Sequence, residues 1–367
     1  MRYLLCPLLI IISLIKCKHC LARSALDVTF EKGIKAYSEE RWSKCIDNFE
    51  ASLHIYKQFE SVLINCRLKC NTLPYDPQVK ENIDDLKIYE ALFNKRHCIN
   101  RCQDIGLAGV KLNGLPEEHV LNQMSVRKPY EYLHICYFQQ NMFQKAASAA
   151  YTYFVAHPDD ETMKANVHYY MEQPEVSTSE IVDYEGDDYV LLFNLGKKSY
   201  NKSNWAETVA TMEEVITDYI SSENICRVKC ERQPRQEWSS EFVTTLSNNI
   251  ASLLHCRQQC QDKLNLLKFN TGVEFLAEVL NYLQMSYYHL EKYEAAAEAV
   301  ATYLAVLPEN SDMLENESFY SKHIDKKAVP KRSDILVYSK RDSYEKELLH
   351  FFRHGNKDYN YSNAIAA

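Results

Sequence analysis

The feature that most constrains this 367-residue chain is an internal duplication. The segment FEKGIKAYSEERWSKCIDNFEASL, which starts at Phe30, aligns without a gap with FNLGKKSYNKSNWAETVATMEEVI, which starts at Phe193. The segment YEYLHICYFQQNMFQKAASAAYTYFVAHP, from Tyr130, aligns in the same way with LNYLQMSYYHLEKYEAAAEAVATYLAVLP, from Leu280. Chance does not align aromatic residues over such lengths. The chain therefore consists of two related halves.

Each half carries the residue spacing of a tetratricopeptide helical hairpin, in which a Tyr, an aromatic residue, an Ala and a Pro recur at fixed intervals. The matching residues are Tyr137, Phe143, Ala146 and Pro158 in the first half, and Tyr287, Tyr293, Ala296 and Pro308 in the second. The small Ala lets two helices approach, and the Pro ends the second helix. With only 8 Gly and 10 Pro, a turn-rich β fold is disfavoured. The sequence predicts an all-α fold, a duplicated tetratricopeptide-like helical repeat array (α-solenoid).

The first 22 residues have the pattern of a cleaved secretory signal. Arg2 precedes an apolar run at 4–15, and Cys20 and Ala22 supply the small residues that signal peptidase accepts. The run is shorter than the roughly 20 residues needed to span a bilayer. Its removal takes away three basic residues and changes the formal net charge from −8 to −11, which disfavours binding to nucleic acid. No later segment has the length and apolarity of a membrane span.

These features divide the chain into five segments. They are a signal peptide at 1–22, a first repeat half at 23–171, an acidic linker at 172–188, a second repeat half at 189–321, and a basic stretch with a C-terminal helix and tail at 322–367. The acidic linker and the basic stretch at 322–341 are interpreted as solvated, with docking of an acidic partner as the alternative for the basic stretch. The last helix is expected to end near His354, before Gly355.

Ten of the 13 cysteines follow the predicted signal, and eight of them form four CxxxC pairs inside an insert of each half. Each insert has the order helix, Pro-containing loop and helix, with loops at 71–80 and 231–240. Two cysteines four residues apart on a helix point the same way along its axis, which disfavours a bond within the pair. In antiparallel helices, the first Cys of one pair faces the second Cys of the other. The predicted bonds are Cys66–Cys102, Cys70–Cys98, Cys226–Cys260 and Cys230–Cys256, which give disulfide-linked helical hairpins.

The spacing of these cysteines leaves two alternatives to disulfide bonds. A thioredoxin-like redox site needs two intervening residues and a βαβ context, whereas here there are three residues and helices. Zinc is the stronger alternative, since His97 and His255 each precede a cysteine and four thiols per half suit a tetrahedral site. An oxidising compartment favours disulfides, so no metal and no cofactor are expected. Cys45 and Cys136 are expected to be small buried hydrophobic residues, with a bond between them as the alternative.

The four motifs CRLKC, CINRC, CRVKC and CRQQC, together with KPYEYLHICYFQQN and HPDDETMKANVHYY, resemble the leprecan family over residues 28–320. That family contains the collagen prolyl 3-hydroxylases, in which a dioxygenase domain follows this region, and a non-enzymatic member that lacks it. The chain resembles the non-enzymatic member. His323 and Asp325 match the His-x-Asp pair of an iron and 2-oxoglutarate site, with His350 and His354 downstream, but the sequence around them reads as helix rather than jelly roll. We expect no catalytic site and no enzyme activity.

The resemblance implies a scaffold in the lumen of the endoplasmic reticulum. Such a scaffold binds a prolyl 3-hydroxylase and a cyclophilin B-type peptidyl-prolyl isomerase, stabilises the hydroxylase and supports the modification and folding of procollagen chains. A helper of a lysyl hydroxylase is the alternative, followed by an active or truncated prolyl 3-hydroxylase. The sequence ends in NAIAA without a Lys-Asp-Glu-Leu signal. We therefore expect retention through a partner, and secretion to the matrix when partners are limiting.

Glycosylation sequons occur at Asn201, Asn316 and Asn360. Asn201 is expected in the turn before Trp205, which makes it the best candidate, whereas Asn316 is expected on a helix. A concave face of the repeat array could stack tyrosines on the proline rings of an extended collagen chain. Most tyrosines occupy core positions of the repeat, which disfavours this interpretation.

Overall fold

The computed structural model describes residues 23–71, 84–110, 112–232, 241–264, 271–324 and 329–354. Within these ranges there are fourteen α-helices, two short 3-10 helices and no strand, so the all-α prediction is confirmed. The chain divides into two compact units after Gly186. The predicted signal peptide, most of both Pro-containing loops and the tail from Gly355 lie outside the described ranges.

The first unit contains seven α-helices. They are α1 (Ala25–Ser38), α2 (Trp42–Asn71), α3 (Asp84–Gly109), α4 (Glu118–Ser125), α5 (Lys128–Gln139), α6 (Phe143–Ala156) and α7 (Glu161–Met171). The Ser24 side chain caps α1 by accepting from the N–H of Leu26, and Asp160 caps α7 by accepting from the N–H of Met163. α6 ends two residues before Pro158, as the repeat pattern predicts.

The second unit also contains seven α-helices and follows this order, except that it lacks a described counterpart of α4 and has one more helix at its end. Its helices are α8 (Asp188–Asn201), α9 (Trp205–Lys229), α10 (Phe242–Lys263), α11 (Val273–His289), α12 (Tyr293–Val306), α13 (Ser311–Tyr320) and α14 (Ser333–His354). Asn310 caps α13 at the position that Asp160 holds in the first unit. No helix in the described ranges corresponds to α4, and α14 has no described counterpart in the first unit.

Aromatic rings at duplicated positions fill the core of each unit. Phe49 of α2 stacks on Tyr132 of α5, with ring centroids 5.2 Å apart, and meets Phe30 of α1 edge to face. In the second unit, Phe193 of α8 meets Tyr282 of α11. The Ala residues of the repeat pattern, Ala146 and Ala296, are fully buried. The predicted helical repeat array is therefore confirmed in its packing as well as in its helices.

The glycine of the first helix in each unit permits close contact with the second helix. A Cβ added at Gly33 would lie 2.9 Å from the ring of Phe49, whereas one at Gly196 would lie 2.7 Å from the terminal methyl of Met212. A buried aromatic ring cannot yield as a methionine end can.

We therefore expect Gly33→Ala to lower the free energy of unfolding by about 1–2 kcal/mol. Gly196→Ala is the matched control, and it is expected to be near neutral because the methionine end moves and Ala favours a helix. Urea unfolding of the two variants checks this ranking. Equal losses in both would contradict the role given to the Phe49 ring.

The two charged segments are less solvated than the sequence suggested. In the acidic segment, Asp183 accepts from Arg127 at 3.1 Å, and the N–H of Tyr184 donates to Thr152 at 2.9 Å. In the basic segment, the N–H of Arg332 donates to Thr302 at 3.0 Å. Thr152 and Thr302 occupy the same position of the duplicated alignment. The interpretation of both segments as solvated throughout is corrected, because each returns to the second helix of its repeat hairpin.

Candidate functional site

Each unit carries a pair of antiparallel helices linked by two disulfides. In disulfide hairpin 1, formed by α2 and α3, the S–S distances are 2.00 Å for Cys66–Cys102 and 1.99 Å for Cys70–Cys98. In disulfide hairpin 2, formed by α9 and α10, they are 2.12 Å for Cys226–Cys260 and 2.10 Å for Cys230–Cys256. These are the partners that the antiparallel argument gives. Two bridges fix the register of each hairpin, so its exposed face is rigid.

A fifth disulfide joins Cys45 of α2 to Cys136 of α5, with an S–S distance of 2.02 Å. The expectation that these two cysteines are unpaired buried residues was wrong, and the alternative is the observed state. The corresponding residues of the second half are Thr208 and Ser286, which are also buried. Both cysteines are replaced in the second half, and their joint replacement is the sequence signal that indicates this bridge.

The tyrosines of the repeat pattern are held inside each unit by hydrogen bonds. Tyr137 donates to Glu50 at 2.7 Å, and Tyr287 donates to Glu213 at 3.0 Å. All four residues lie at duplicated positions. Burial and the adjacent carboxylate raise the pKa of Tyr137 and of Tyr287. Because their hydroxyls form these hydrogen bonds inside the unit, Tyr137 and Tyr287 serve in packing and not in stacking on an extended collagen chain.

A second duplicated contact differs between the halves in its chemistry. The Nδ1 of His134 lies 2.9 Å from the hydroxyl of Tyr170, and the hydroxyl of Tyr320 donates to Gln284 at the same distance. His134 is 2% exposed, and burial lowers its pKa to about 4, against a smaller opposing effect of Glu131. The imidazole is therefore neutral in the folded protein at neutral pH.

Because the pKa of His134 is lower in the folded state than in the unfolded state, its contribution to stability is present above pH 6.5 and is lost as the pH falls towards 4. At pH 5 the expected loss is about 2 kcal/mol relative to pH 7.5. We expect His134→Gln, which copies the second half, to remove this part of the pH dependence. Urea unfolding at both pH values measures it, and an unchanged pH dependence in the variant would contradict the assignment.

Helix α14 packs on disulfide hairpin 2 through a buried network of charges. Arg227 of α9 pairs with Glu345 of α14 and lies 3.7 Å from Glu223. Glu345 also accepts from Arg257 of α10 at 3.5 Å. Tyr338 of α14 donates to Glu223, whose pKa is raised by burial. The network fixes one face of α14 against both helices of the hairpin.

This network was not found from the sequence, which placed the start of α14 in a solvated basic stretch. Arg341 lies 2.7 Å from Asn224 and 3.6 Å from Glu223, and burial lowers the pKa of its guanidinium. The signal that could have indicated packing is a helical spacing within α14, where Asp342 and Glu345 continue the three- or four-residue interval set by Ile335 and Tyr338 and followed by Leu349.

Disulfide hairpin 1 carries an open groove of about 1080 Å³. Its lining includes the apolar side chains of Val62, Leu92 and Ile105. Basic side chains also line it, at Lys69, Lys95 and Arg101. The matching groove of disulfide hairpin 2 is about 320 Å³. The groove of hairpin 1 therefore has the chemistry to bind an apolar protein segment that carries acidic residues.

The remaining candidate residues are those that the sequence singled out as possible metal ligands, and they lie in different settings. His323 donates from Nδ1 to the carbonyl of Phe319 at 2.8 Å, and Asp325 lies outside the described ranges. His255 lies 3.2 Å from Gln259, and His97 lines the hairpin 1 groove. Within the described ranges, no three His, Cys, Asp or Glu residues are grouped as metal ligands.

The sequons fall in different settings. Asn201 is the last residue of α8 and is exposed, as a glycosylation site requires, whereas Asn316 is half-buried on α13. Asn360 lies outside the described ranges. None of the helices that the structure describes combines the length and the apolar character needed to cross a membrane.

Comparison with known proteins places these features in a family context. Residues 25–324 match the leprecan family TPR-like repeat region. Prolyl 3-hydroxylase 1 of Mus musculus is 27% identical over 358 residues, covering 89% of this chain and 47% of that protein. Cartilage-associated protein of Homo sapiens is 29% identical over 304 residues, covering 82% of this chain and 75% of that protein. The chain thus spans about half the length of the hydroxylase.

Proposed function

The chain belongs to the leprecan family, and on this basis we propose that it is a non-catalytic scaffold subunit of a collagen prolyl 3-hydroxylation complex in the secretory pathway. The observation that carries the proposal is the match of the family's repeat region to residues 25–324, together with similarity to cartilage-associated protein over 82% of the chain. In that region, the tyrosines and cysteines of the motifs pack and cross-link helices. The proposed contribution is therefore binding, and the catalytic groups belong to the partner.

The proposed partners are a prolyl 3-hydroxylase, a cyclophilin B-type peptidyl-prolyl isomerase and procollagen chains. A helical array that is cross-linked before it binds loses little conformational entropy on association. The groove of disulfide hairpin 1, with Leu92 and Ile105 exposed, supports a role in holding a protein partner. A partner that binds only the folded hydroxylase stabilises it by mass action, and this raises the amount of hydroxylase present.

Depletion of this chain from cells that make collagen tests the proposal. We expect the steady-state level of the prolyl 3-hydroxylase and the 3-hydroxyproline content of collagen to fall together, while hydroxylysine changes less. A fall in hydroxylysine with constant 3-hydroxyproline would instead assign the chain to a lysyl hydroxylase complex. No change in either modification would contradict the collagen role.

The absence of catalysis is tested at His323 and Asp325, the residues that match a His-x-Asp pair. Substitution of both by Ala is expected to leave collagen modification unchanged when the depleted cells are complemented. A loss as large as that of depletion, with normal folding and partner binding, would contradict a purely non-catalytic role.

Residence in the lumen of the endoplasmic reticulum, with secretion to the matrix when partners are limiting, is part of the same proposal. The signal-like residues 1–22 and the exposed sequon at Asn201 support it. The expected result is a glycosidase-sensitive chain whose mobility shift is lost in Asn201→Gln. A chain that carries no glycan at Asn201 would contradict the use of this site.

A further inference from the structure

Helix α14 has an unusual distribution of residues between its two faces. Its inner face, against disulfide hairpin 2, buries two carboxylates, Asp342 at 3% exposure and Glu345 at 7%. Its outer face exposes five large apolar residues, which we call the outer stripe: Val337, Tyr344, Leu348, Phe351 and Phe352. A helix that only covers its own hairpin needs no such outer face. The distribution therefore indicates that the outer stripe is covered by another molecule.

The outer stripe is continuous and rigid. Tyr344, Leu348 and Phe351 follow one another at the i, i+4 and i+7 spacing of residues that share one face of a helix. From Val337 to Phe352 the stripe extends about 22 Å along the helix axis. The buried charge network fixes the opposite face of α14, so the outer stripe is held ready for binding without a separate ordering step.

We propose that the outer stripe binds the outer stripe of a second copy of this chain, with the two α14 helices antiparallel and the twofold axis at Tyr344. Val337 and Phe351 lie seven residues before and after Tyr344. In the antiparallel pair, Val337 of each copy therefore lies at the level of Phe351 of the other. A closed twofold contact requires this kind of self-complementary surface.

The charged residues beside the outer stripe favour a second copy of this chain as its binding partner. Lys340 lies four residues before Tyr344 and Glu347 lies three residues after it, and both are exposed along the same edge of the stripe. In the antiparallel pair, Lys340 of each copy comes within about one residue rise of Glu347 of the other. Two opposite-charge pairs form by symmetry. The stripe thus contains its own complement in both apolar surface and charge.

One helix face on each copy is a small contact, so the dimer is expected to be weak and reversible. Sedimentation of the full-length mature chain, with its disulfides intact, tests this from about 1 to about 100 µM. We expect the mass to rise towards that of a dimer across this range. Phe351→Asp is expected to raise the dissociation constant at least about tenfold. Phe93→Asp, at a phenylalanine on α3 that is also more than half exposed, is the matched control and is expected to leave it unchanged.

A charge swap tests the antiparallel register. Lys340→Glu and Glu347→Lys each place like charges opposite one another in their own dimers and are expected to weaken them. In a mixture of the two variants, every such pair is again of opposite sign, and a heterodimer is expected to form about as well as the wild-type dimer. Failure of the mixture to associate would overturn the register and the proposal with it.

Other occupants of the stripe give different results. A chain that remains a monomer over the whole concentration range would overturn the proposal. If Phe351→Asp then abolished binding to the hydroxylase, the stripe would belong to that partner. A dimer unaffected by Phe351→Asp would place the contact elsewhere on the chain. The proposal does not rest on the proposed function, since the association needs only this chain.

Discussion

Replacing Cys45 by Thr and Cys136 by Ser, the residues of the second half, is expected to lower the free energy of unfolding of the first unit by about 2–4 kcal/mol. The bridge spans 91 residues and joins α2 to α5, so it restricts the unfolded chain over most of the first unit. The bridges Cys66–Cys102 and Cys70–Cys98 lie inside this loop and shorten it, which keeps the effect below that of an open loop of the same length.

The matched control replaces Cys70 and Cys98 by Ser. Because Cys66–Cys102 already closes that hairpin, the nested bridge constrains only a short remaining loop and its loss is expected to cost much less. Hydrogen exchange resolved to peptides of α1 and α2, as a function of urea, measures both variants. A larger loss for the nested bridge than for Cys45–Cys136 would contradict this ranking.

Glu345→Ala is expected to lower the free energy of unfolding by about 3 kcal/mol. The substitution leaves Glu223, at 3.7 Å, as the carboxylate beside the buried Arg227 guanidinium among the described residues. It also removes one of two acceptors of Arg257, which keeps Glu231 at 3.2 Å. Loss of one partner from a buried pair is costly because the remaining charge is away from water. The remaining Glu223 contact keeps the effect at the lower end of the range for buried pairs.

Glu347→Ala is the control for Glu345→Ala, since Glu347 lies two residues further along α14 and is exposed. Its effect is expected within about 0.5 kcal/mol at a concentration where the chain is monomeric. Hydrogen exchange in α14 should increase in Glu345→Ala and not in the control. Protection of α14 equal to wild type in Glu345→Ala would contradict the role of the network in fixing this helix.

The helical core was predictable because the duplication shows the residue type at each repeat position twice. Tyr137 with Tyr287, and Ala146 with Ala296, identified the repeat hairpins, and the repeated CxxxC spacing identified the two disulfide hairpins. These signals are local and periodic. Packing of small and aromatic residues at helical spacing leaves few alternatives, so the element type follows from the pattern alone.

The features that were missed depend on contacts between residues far apart in the chain. Cys45 and Cys136 carry no motif, and only their joint replacement by Thr208 and Ser286 marks them as a pair. Arg227 and Glu345 of the network are 118 residues apart in the chain. Both are charged residues, which are expected to be exposed to solvent when they are judged by residue type alone. Whether a charge is solvated or buried depends on the element that packs over it, and a single sequence does not specify that element.

The scaffold role is tested most directly by the stability of a prolyl 3-hydroxylase with and without this chain. The hydroxylase is heated with a protease while the mature chain is added in increasing amounts. The amount of intact hydroxylase that remains at each temperature reports its folded fraction. At 100 times the dissociation constant, a partner that binds only the folded enzyme adds about 2.7 kcal/mol of stability. We expect the unfolding temperature of the hydroxylase to rise once the concentration of the chain exceeds the dissociation constant, and to keep rising with the logarithm of that concentration. An unfolding temperature that stays constant at every concentration of the chain would contradict it.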